Sequence, residues 1–181
     1  MRLYLIRHAA TVPGDPARWP DDGVRPLTPA GMEEFREAAA GLARIAGSVD
    51  AVLASPFVRT RQTAEILAIC AGWARATEAP QLVPGRTAGQ ALALVREHEL
   101  RASGPGGESR QDHGEQGLAL VGHEPNLLEL ISLCLAGDDA RVRCDIEKGG
   151  AACLLFPATV SAGDARLEWL LTPRALRALA R

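Results

Sequence analysis

The sequence predicts an α/β protein of three layers, in which a mostly parallel sheet is covered by helices on both faces. Patterns typical of strands and helices alternate over the early part of the chain, as in folds built from strand–helix–strand units. Two further strand patterns come late and lie close together, so we expect them to add an antiparallel edge pair. With 181 residues, the chain suits one domain spanning residues 1–181, because domains commonly contain about 100–200 residues.

The first predicted strand, loop and helix follow one another within 46 residues. Residues 2–7 enclose an apolar run between two arginines and predict a short buried strand, whereas residues 12–26 are rich in Pro, Gly and Asp and predict a loop. Thr28 is a good N-cap, and Pro29 suits the first position of a helix. Apolar residues then recur at helical spacing, which predicts a helix over 29–46.

The middle of the chain repeats this pattern. Residues 50–54 predict a second strand, after which Ser55 is expected to cap a helix that Pro56 opens and that ends near residue 71. Residues 75–79 predict a weak strand. The remaining elements are predicted in this order: a helix at 87–98, a glycine-rich loop at 102–117, a strand at 118–121, a helix from Pro125 to about 136, strands at 151–156 and 166–171, and a helix from Pro173.

Composition and charge exclude several classes of protein. The chain has 20 Lys and Arg against 22 Asp and Glu, a net charge of −2, which gives no reason to expect a nucleic acid or a membrane surface as partner. The N-terminal apolar stretch is too short for a signal peptide, and no run approaches the ~20 residues of a membrane span. The four cysteines form no CxxC pair. We therefore expect reduced, buried thiols and a cytoplasmic location.

Polar residues with catalytic potential follow three of the predicted strands. Arg7 and His8 follow the first strand, Arg59 lies just after the second, and His123 follows the strand at 118–121. Ligands of open α/β sheets bind beyond the carboxyl ends of the strands. We therefore expect two arginines and two histidines to meet at one edge of the sheet.

The position of Arg59 favours an anion as the ligand. In the first turn of a helix, the macrodipole disfavours a cation by about 0.3–1 kcal/mol. A helix N-terminus with an Arg beside it is a good anion site, and the planar guanidinium matches phosphate oxygens. By contrast, the other histidines of the chain, His98 and His113, complete no metal-ligand spacing, and no nucleotide-binding glycine motif is present.

Four motifs in order along the chain resemble those of the histidine phosphatase superfamily, which has the phosphoglycerate-mutase-like fold. The likeness is greatest to its short SixA-type branch of phosphohistidine phosphatases, extends from residue 3 to about 156, and includes Lys148-Gly149-Gly150. The motifs are Leu5-Ile6-Arg7-His8, Leu27-Thr28-Pro29-Ala30-Gly31, Ser55-Pro56 through Arg59 to Gln62-Thr63-Ala64, and Val121-Gly122-His123-Glu124-Pro125-Asn126.

The resemblance implies a role for each matching residue and needs no metal or cofactor. His8 would attack phosphorus and carry the phosphoryl group, Arg7 and Arg59 would hold its oxygens, and His123 would stabilise the group in transfer. Elementary electrostatics agrees, since the neighbouring cations disfavour imidazolium and help to keep His8 neutral and nucleophilic.

The chain departs from the family pattern near the nucleophile. Ala9 stands where the family usually has Gly, which is acceptable if its φ is negative. Thr11 matches a phosphate-binding Ser or Thr of members that act on small esters, but Gly14 replaces the Asn that often follows. Thr11 is therefore a candidate substrate-binding residue, and half of that clamp is missing.

The leaving-group acid is the least defined part of the predicted site. The long branch of the family supplies a Glu from an insertion between Arg59 and His123, positions for which this chain has little spare length. In the short branch, the segment before the Leu-Thr-x-x-Gly motif lines the pocket, which makes Asp22 a candidate acid and Arg25 a candidate substrate-binding residue. Glu78 is the alternative carboxylate. A phosphohistidine substrate would need the least help from an acid.

Three functions remain open from the sequence. The enzyme could act on phosphohistidine in a protein, such as a histidine phosphotransfer domain, or on a small metabolite phosphate ester. A non-catalytic phosphate-binding module is the third. A mutase is disfavoured, because it needs a closed pocket that retains the intermediate.

Overall fold

The computed structural model describes residues 1–46, 49–102 and 117–181. Within these ranges the chain forms six strands and five α-helices. The strands are β1 Arg2–Arg7, β2 Ala51–Ala54, β3 Thr77–Glu78, β4 Gly117–Gly122, β5 Ala151–Leu155 and β6 Arg166–Leu171. The helices are α1 Pro29–Ile45, α2 Val58–Cys70, α3 Ala88–Ala102, α4 Asn126–Ala136 and α5 Pro173–Leu179.

All six strands belong to one sheet in the order β3-β2-β4-β1-β5-β6. β1 pairs in parallel with β4, and β2 pairs in parallel with both β4 and β3. β5 is antiparallel to β1, and β6 is antiparallel to β5. The predicted fold class is confirmed, and the order brings the carboxyl ends of β1, β4 and β2 side by side.

The two faces of the sheet are covered by different helices. In β1, Tyr4 and Ile6 face a core that includes α1, α2 and α5. The alternate residues Leu3 and Leu5 face a second core that includes α3 and α4. A parallel strand buried on both faces is apolar throughout, which explains the unbroken apolar run from which β1 was predicted.

The start of α1 was predicted correctly, and the start of α2 was not. Thr28 Oγ1 accepts a hydrogen bond from the Gly31 N–H at 2.9 Å, as an N-cap does. Ser55, in contrast, does not cap α2, because Phe57 is still extended and the helix begins only at Val58. The chain thus leaves β2 through an extended linker, which frees the Ser55 side chain for a different contact.

Other predictions differ from the structure in smaller ways. α3 continues to Ala102, four residues beyond its predicted end. The loop predicted at 102–117 falls almost wholly outside the described residues. Of the cysteines expected to be buried, Cys134 and Cys153 are, whereas Cys70 and Cys144 are only half-buried. In the described part of the chain, no helix has both the length and the apolarity needed to cross a membrane.

The segment 12–26 is a loop with one ordered turn in it. Thr11 and Leu27 form an isolated antiparallel bridge that closes the base of the loop. Asp22–Val24 forms a 3₁₀ turn, with the Asp21 carboxylate accepting the Gly23 N–H at 2.8 Å. The turn places Asp22 beside the N-terminal part of α2.

Candidate active site

Three polar side chains that follow adjacent strands are buried together. His8, Arg59 and His123 are only 6%, 3% and 2% exposed, although charged and titratable groups are seldom buried so deeply. The rings of His8 and His123 lie 5.2 Å apart between centroids. Arg7 is half-buried beside them. The two arginines and two histidines expected from the sequence therefore do meet at one edge of the sheet.

The hydrogen bonds of His8 define its tautomer. Its Nδ1 lies 2.8 Å from the Ala9 carbonyl oxygen, which can only accept, so Nδ1 carries the hydrogen and Nε2 keeps a lone pair. The Ala9 N–H in turn donates to Thr63 Oγ1 at 3.1 Å, and Thr63 Oγ1 donates to the Arg59 carbonyl oxygen at 2.7 Å. Ala9 has a negative φ, so it needs no Gly.

The histidines of the site are held in the neutral form. Burial, followed by the charges of Arg59, Arg7 and Lys148, lowers the pKa of His8 to about 4, although the hydrogen bond to Ala9 opposes this. Burial, followed by the charges of Arg59 and His8, lowers the pKa of His123 to about 3. At neutral pH the His8 Nε2 lone pair is therefore available for attack on phosphorus.

Arg7 is held by the chain segment that precedes β5. Its Nη1 donates to the Ile146 carbonyl oxygen at 2.7 Å and also pairs with the Glu124 carboxylate. The Gly149 N–H donates to the carbonyl oxygens of Arg7 at 3.1 Å and His8 at 3.0 Å. This segment therefore fixes both the backbone and the guanidinium of Arg7, the residue before His8.

Arg59 is anchored by the loop that the 3₁₀ turn orders. Its Nη1 donates to the Asp22 carbonyl oxygen at 2.7 Å, and its Nη2 donates to Asp22 Oδ2 at 2.8 Å. The guanidinium carbon lies 4.8 Å from the centroid of the Phe57 ring, which meets the His123 ring edge-on at 5.2 Å. Arg59 and His123 thus both pack against the aromatic ring of Phe57.

A second arginine shares the Asp22 carboxylate. Arg25 Nε donates to Asp22 Oδ1 at 2.7 Å, while its Nη1 donates to Thr11 Oγ1 at 2.9 Å. Partial burial acts to raise the pKa of the Asp22 carboxyl, but the hydrogen bonds and charges of Arg25 and Arg59 outweigh it and hold the pKa below its usual value. Asp22 is therefore ionised at neutral pH.

The structure joins seven of the eight candidate side chains into one cluster. Glu78 is the exception, because it lies on the surface with its carboxylate 3.4 Å from Arg61 Nη1, and both side chains are more than half exposed. The clustered residues are Arg7, His8, Thr11, Asp22, Arg25, Arg59 and His123.

Sequence reasoning missed the residues that orient this cluster. Ser55 is fully buried, and its Oγ lies 3.0 Å from His123 Nε2. Glu124 pairs with Arg7, and Thr63 holds the Ala9 peptide. All three lie inside the motifs quoted above. Their positions in those motifs were a usable signal, but Ser55 was interpreted as a helix cap.

Three buried nitrogen atoms of the site have no hydrogen-bond partner among the described residues: Arg7 Nε, Arg59 Nε and His123 Nδ1. Leaving a buried polar group unpaired costs about 1–3 kcal/mol, and such groups are rare outside functional sites. Donors gathered around a neutral imidazole can bind a tetrahedral oxyanion and stabilise charge that develops on it. In the described part of the chain, no three His, Cys, Asp or Glu side chains gather as metal ligands.

Comparison with known proteins identifies the family. Residues 3–113 match the model of the histidine phosphatase superfamily, branch 1. An uncharacterized protein of Picosynechococcus is 33% identical over 129 residues, which cover 71% of this chain and 70% of that protein.

Solved structures of phosphatases share the fold. The protein histidine phosphatase SixA, complexed with tungstate, is 23% identical with a TM-score of 0.77, covering 97% of this chain and 99% of its own. A mycobacterial glucosyl-3-phosphoglycerate phosphatase is 18% identical with a TM-score of 0.65, covering 94% of this chain and 99% of its own.

The match of the family model to more than half of the chain agrees with the motifs, the sheet order and the buried cluster of arginines and histidines. The hypothesis of a non-catalytic phosphate-binding module is therefore set aside. The chain belongs to branch 1 of the histidine phosphatase superfamily, has the fold of the SixA-type enzymes, and is a phosphatase.

Proposed function

We propose that this phosphatase removes the phosphoryl group from phosphohistidine in a protein, with His8 as the nucleophile. The His8 Nε2 lone pair forms a bond to phosphorus while the bond from phosphorus to the substrate imidazole breaks. The substrate reacts with its ring protonated on the nitrogen that does not bear phosphorus, so its imidazole leaves as a neutral group that keeps this hydrogen. Water then attacks the phosphohistidine intermediate, releasing dihydrogen phosphate and neutral His8.

The other residues of the cluster stabilise the group in transfer. Arg7 and Arg59 each keep a buried Nε–H that has no partner in the described part of the chain, and these donors suit the equatorial oxygens of the phosphoryl group. Most of the catalytic effect in phosphoryl transfer comes from positioning and from such electrostatic stabilisation. His123 contributes its unpartnered ring nitrogen on the other side of the site.

The observation that carries the choice of substrate is that the carboxylates near the pocket are already ion-paired. Asp22 lies between Arg25 and Arg59, and Glu124 pairs with Arg7. An ionised carboxylate held by arginine is a poor proton donor. We infer that Asp22 orients these arginines rather than acting as an acid, so a substrate whose leaving group needs little protonation is favoured, and phosphohistidine is such a substrate.

A small phosphate ester is the second candidate, and one observation favours it. Thr11 and Arg25 are half-buried and hydrogen-bonded to each other at 2.9 Å, which places additional donors beside the phosphate-binding residues. Such donors could hold a polar group of a metabolite. The mycobacterial phosphatase with the same fold is named for a small phosphate ester.

A substrate screen tests the proposal. A histidine phosphotransfer domain phosphorylated with phosphoramidate is compared with sugar phosphates, nucleotides and phosphoamino acids by release of inorganic phosphate. We expect kcat/KM to be highest for the phosphohistidine protein, in EDTA as well as without it. A higher kcat/KM for one of the esters would transfer the proposal to that ester, and loss of activity in EDTA with recovery in Mg²⁺ would contradict a metal-independent reaction.

A further inference from the structure

The residue that follows β2 is joined to the residue that follows β4. The Ser55 N–H donates to the Val121 carbonyl oxygen at 3.0 Å, which continues the pairing of β2 with β4 by one residue. From there the Ser55 hydroxyl reaches His123 Nε2 at 3.0 Å. Ser55 is 0% exposed and His123 is 2% exposed, so water does not compete for this bond.

The direction of the hydrogen bond follows from the other neighbours of the hydroxyl. The Phe57 N–H points at Ser55 Oγ from 3.5 Å, and an N–H can only donate, so Oγ acts as the acceptor there. Among the described residues, the other group bonded to this hydroxyl is His123 Nε2. Within the described part of the chain, His123 Nε2 is therefore the available acceptor for the hydroxyl hydrogen, and Ser55 donates to it.

A neutral imidazole has one nitrogen that donates and one that accepts. If Nε2 accepts from Ser55, then Nδ1 of His123 carries the ring hydrogen. This Nδ1 is buried and has no partner among the residues that the structure describes, while the ring lies beside that of His8 at 5.2 Å. The N–H is therefore available to a group bound at the nucleophile.

We propose that Ser55 is a positioning residue that fixes His123 as the Nδ1–H tautomer, so that this ring donates a hydrogen bond to the phosphoryl group carried by His8. The role rests on the proposed function, in which the phosphoryl group is transferred at this site. Without the hydroxyl, His123 can adopt the Nε2–H tautomer. A lone pair on Nδ1 would then face the phosphoryl oxygens, which repels them instead of binding them.

The tautomer can be measured directly on the protein without substrate. Long-range ¹H–¹⁵N spectra of protein with ¹⁵N-labelled histidine, recorded at pH 7, distinguish protonated from unprotonated ring nitrogens. We expect Nδ1–H for both His8 and His123 in the wild type, and in Ser55→Ala we expect a change in His123 alone. Because His8 donates to Ala9, it serves as the internal reference. An Nε2–H tautomer for His123 in the wild type would overturn the proposal, whatever the enzyme acts on.

Thr60→Val is the matched control for Ser55→Ala. Thr60 is also 0% exposed and loses a hydroxyl that donates to the Ser55 carbonyl oxygen at 2.8 Å, but among the described hydrogen bonds this hydroxyl makes none to His123. We expect Thr60→Val to leave the His123 tautomer unchanged. If both variants shift the His123 signals alike, the effect comes from loosening of the linker between β2 and α2, and the proposal fails.

A double-mutant cycle separates action through His123 from general damage. We expect Ser55→Ala to lower kcat by about tenfold or more and to weaken vanadate inhibition. The loss of kcat should be smaller than the factor of about 10²–10³ that follows complete removal of a positioned donor. In the His123→Ala background, Ser55→Ala should have no further effect on either quantity. An equal loss of kcat in the wild-type and His123→Ala backgrounds would overturn the proposal. If no tested phosphate compound proves to be a substrate, the proposed function fails, and the tautomer measurement still decides the role of Ser55.

Discussion

Arg59, at the edge of the sheet where His8 and His123 meet, and Arg2, at the start of β1, are used in different ways. Arg2 forms a closed pair with Glu168, donating from Nε at 2.7 Å and from Nη2 at 3.0 Å, and a third of its side chain is exposed. The side chain of Arg59 is 4% exposed and gives its two terminal nitrogens to Asp22, while its Nε–H has no partner among the described residues. Both residues are arginines in ion pairs, but the Nε–H of Arg2 is hydrogen-bonded to its carboxylate partner and the Nε–H of Arg59 is not.

The difference between the two arginines shows that the site, and not the Arg2 pair, lowers the stability of the folded protein. An exposed ion pair such as that of Arg2 contributes about 0–1 kcal/mol. A buried donor that lacks a partner costs about 1–3 kcal/mol, and such costs collect at functional sites. The catalytic edge carries three such nitrogens, so we expect its substitutions to lower activity far more than stability.

The sharpest test of the catalytic edge is His8→Ala. Removing the proposed nucleophile should reduce kcat by a factor on the order of 10⁴ or more, and wild-type enzyme quenched without acid should show a phosphorylated His8 by mass spectrometry. His98→Ala is the control, because His98 lies on α3 away from the cluster. A His8→Ala variant that retains most of the wild-type rate would contradict the assignment.

The next largest effect is expected at Arg59. Arg59→Ala should reduce the rate by about 10²–10³, and Arg59→Lys should reduce it less, because an ammonium keeps the charge but not the planar fork. Arg61 is the matched control on the same helix, since 53% of its side chain is exposed and it pairs only with Glu78. Equal losses at both positions would show that burial in the pocket does not determine the role of Arg59.

Acidification should abolish activity only at a pH well below the ordinary pKa of histidine. The pKa of His8 is lowered to about 4, so kcat/KM should stay level down to that pH and then fall by about tenfold per unit or more as the ring is protonated. Circular dichroism must accompany the profile, because the unfolded chain binds these protons at about 6.5, and stability therefore declines as pH falls from there toward 4. A fall in kcat/KM near pH 6.5 with the fold intact would contradict a buried, neutral nucleophile.

Asp22→Asn should have a moderate effect that does not depend on the leaving group. If Asp22 only orients Arg25 and Arg59, the rate should fall by a similar factor, about tenfold on the scale of a charged hydrogen bond, for alkyl phosphates, p-nitrophenyl phosphate and phosphohistidine. Glu78→Gln should change nothing. A selective loss for the alkyl phosphates, whose leaving groups need protonation, would instead identify Asp22 as the acid.

The smallest effect on activity is expected for the ion pair between Arg2 and Glu168. Arg2→Gln should leave kcat/KM unchanged and lower the free energy of unfolding by about 1 kcal/mol or less, as measured by urea denaturation. Glu168→Gln is the reciprocal variant and should behave alike. A large loss of activity in either would show that the ion pair between β1 and β6 is coupled to the site.

The sequence was most informative where a local pattern decides the outcome. Continuous apolar runs and N-cap residues predicted the strands and α1 to within a few residues. Since ligands bind at the carboxyl ends of parallel strands, the order of elements alone predicted that His8, Arg59 and His123 would meet. It was wrong at Ser55, because whether a serine caps a helix depends on the backbone angles of the two residues that follow.

The partners of the site residues were decided only by the tertiary structure. Asp22 meets Arg59 across 37 positions, and Ser55 meets His123 across 68. No local periodicity encodes such contacts, because they depend on the conformation of a loop and on which strands become neighbours. The sequence by itself determined the fold class and the residues that gather at the edge of the sheet. The tertiary structure decided which atoms are paired, which ring nitrogen of His8 carries the hydrogen, and that Asp22 remains charged, since these depend on burial and on distances of a few ångströms.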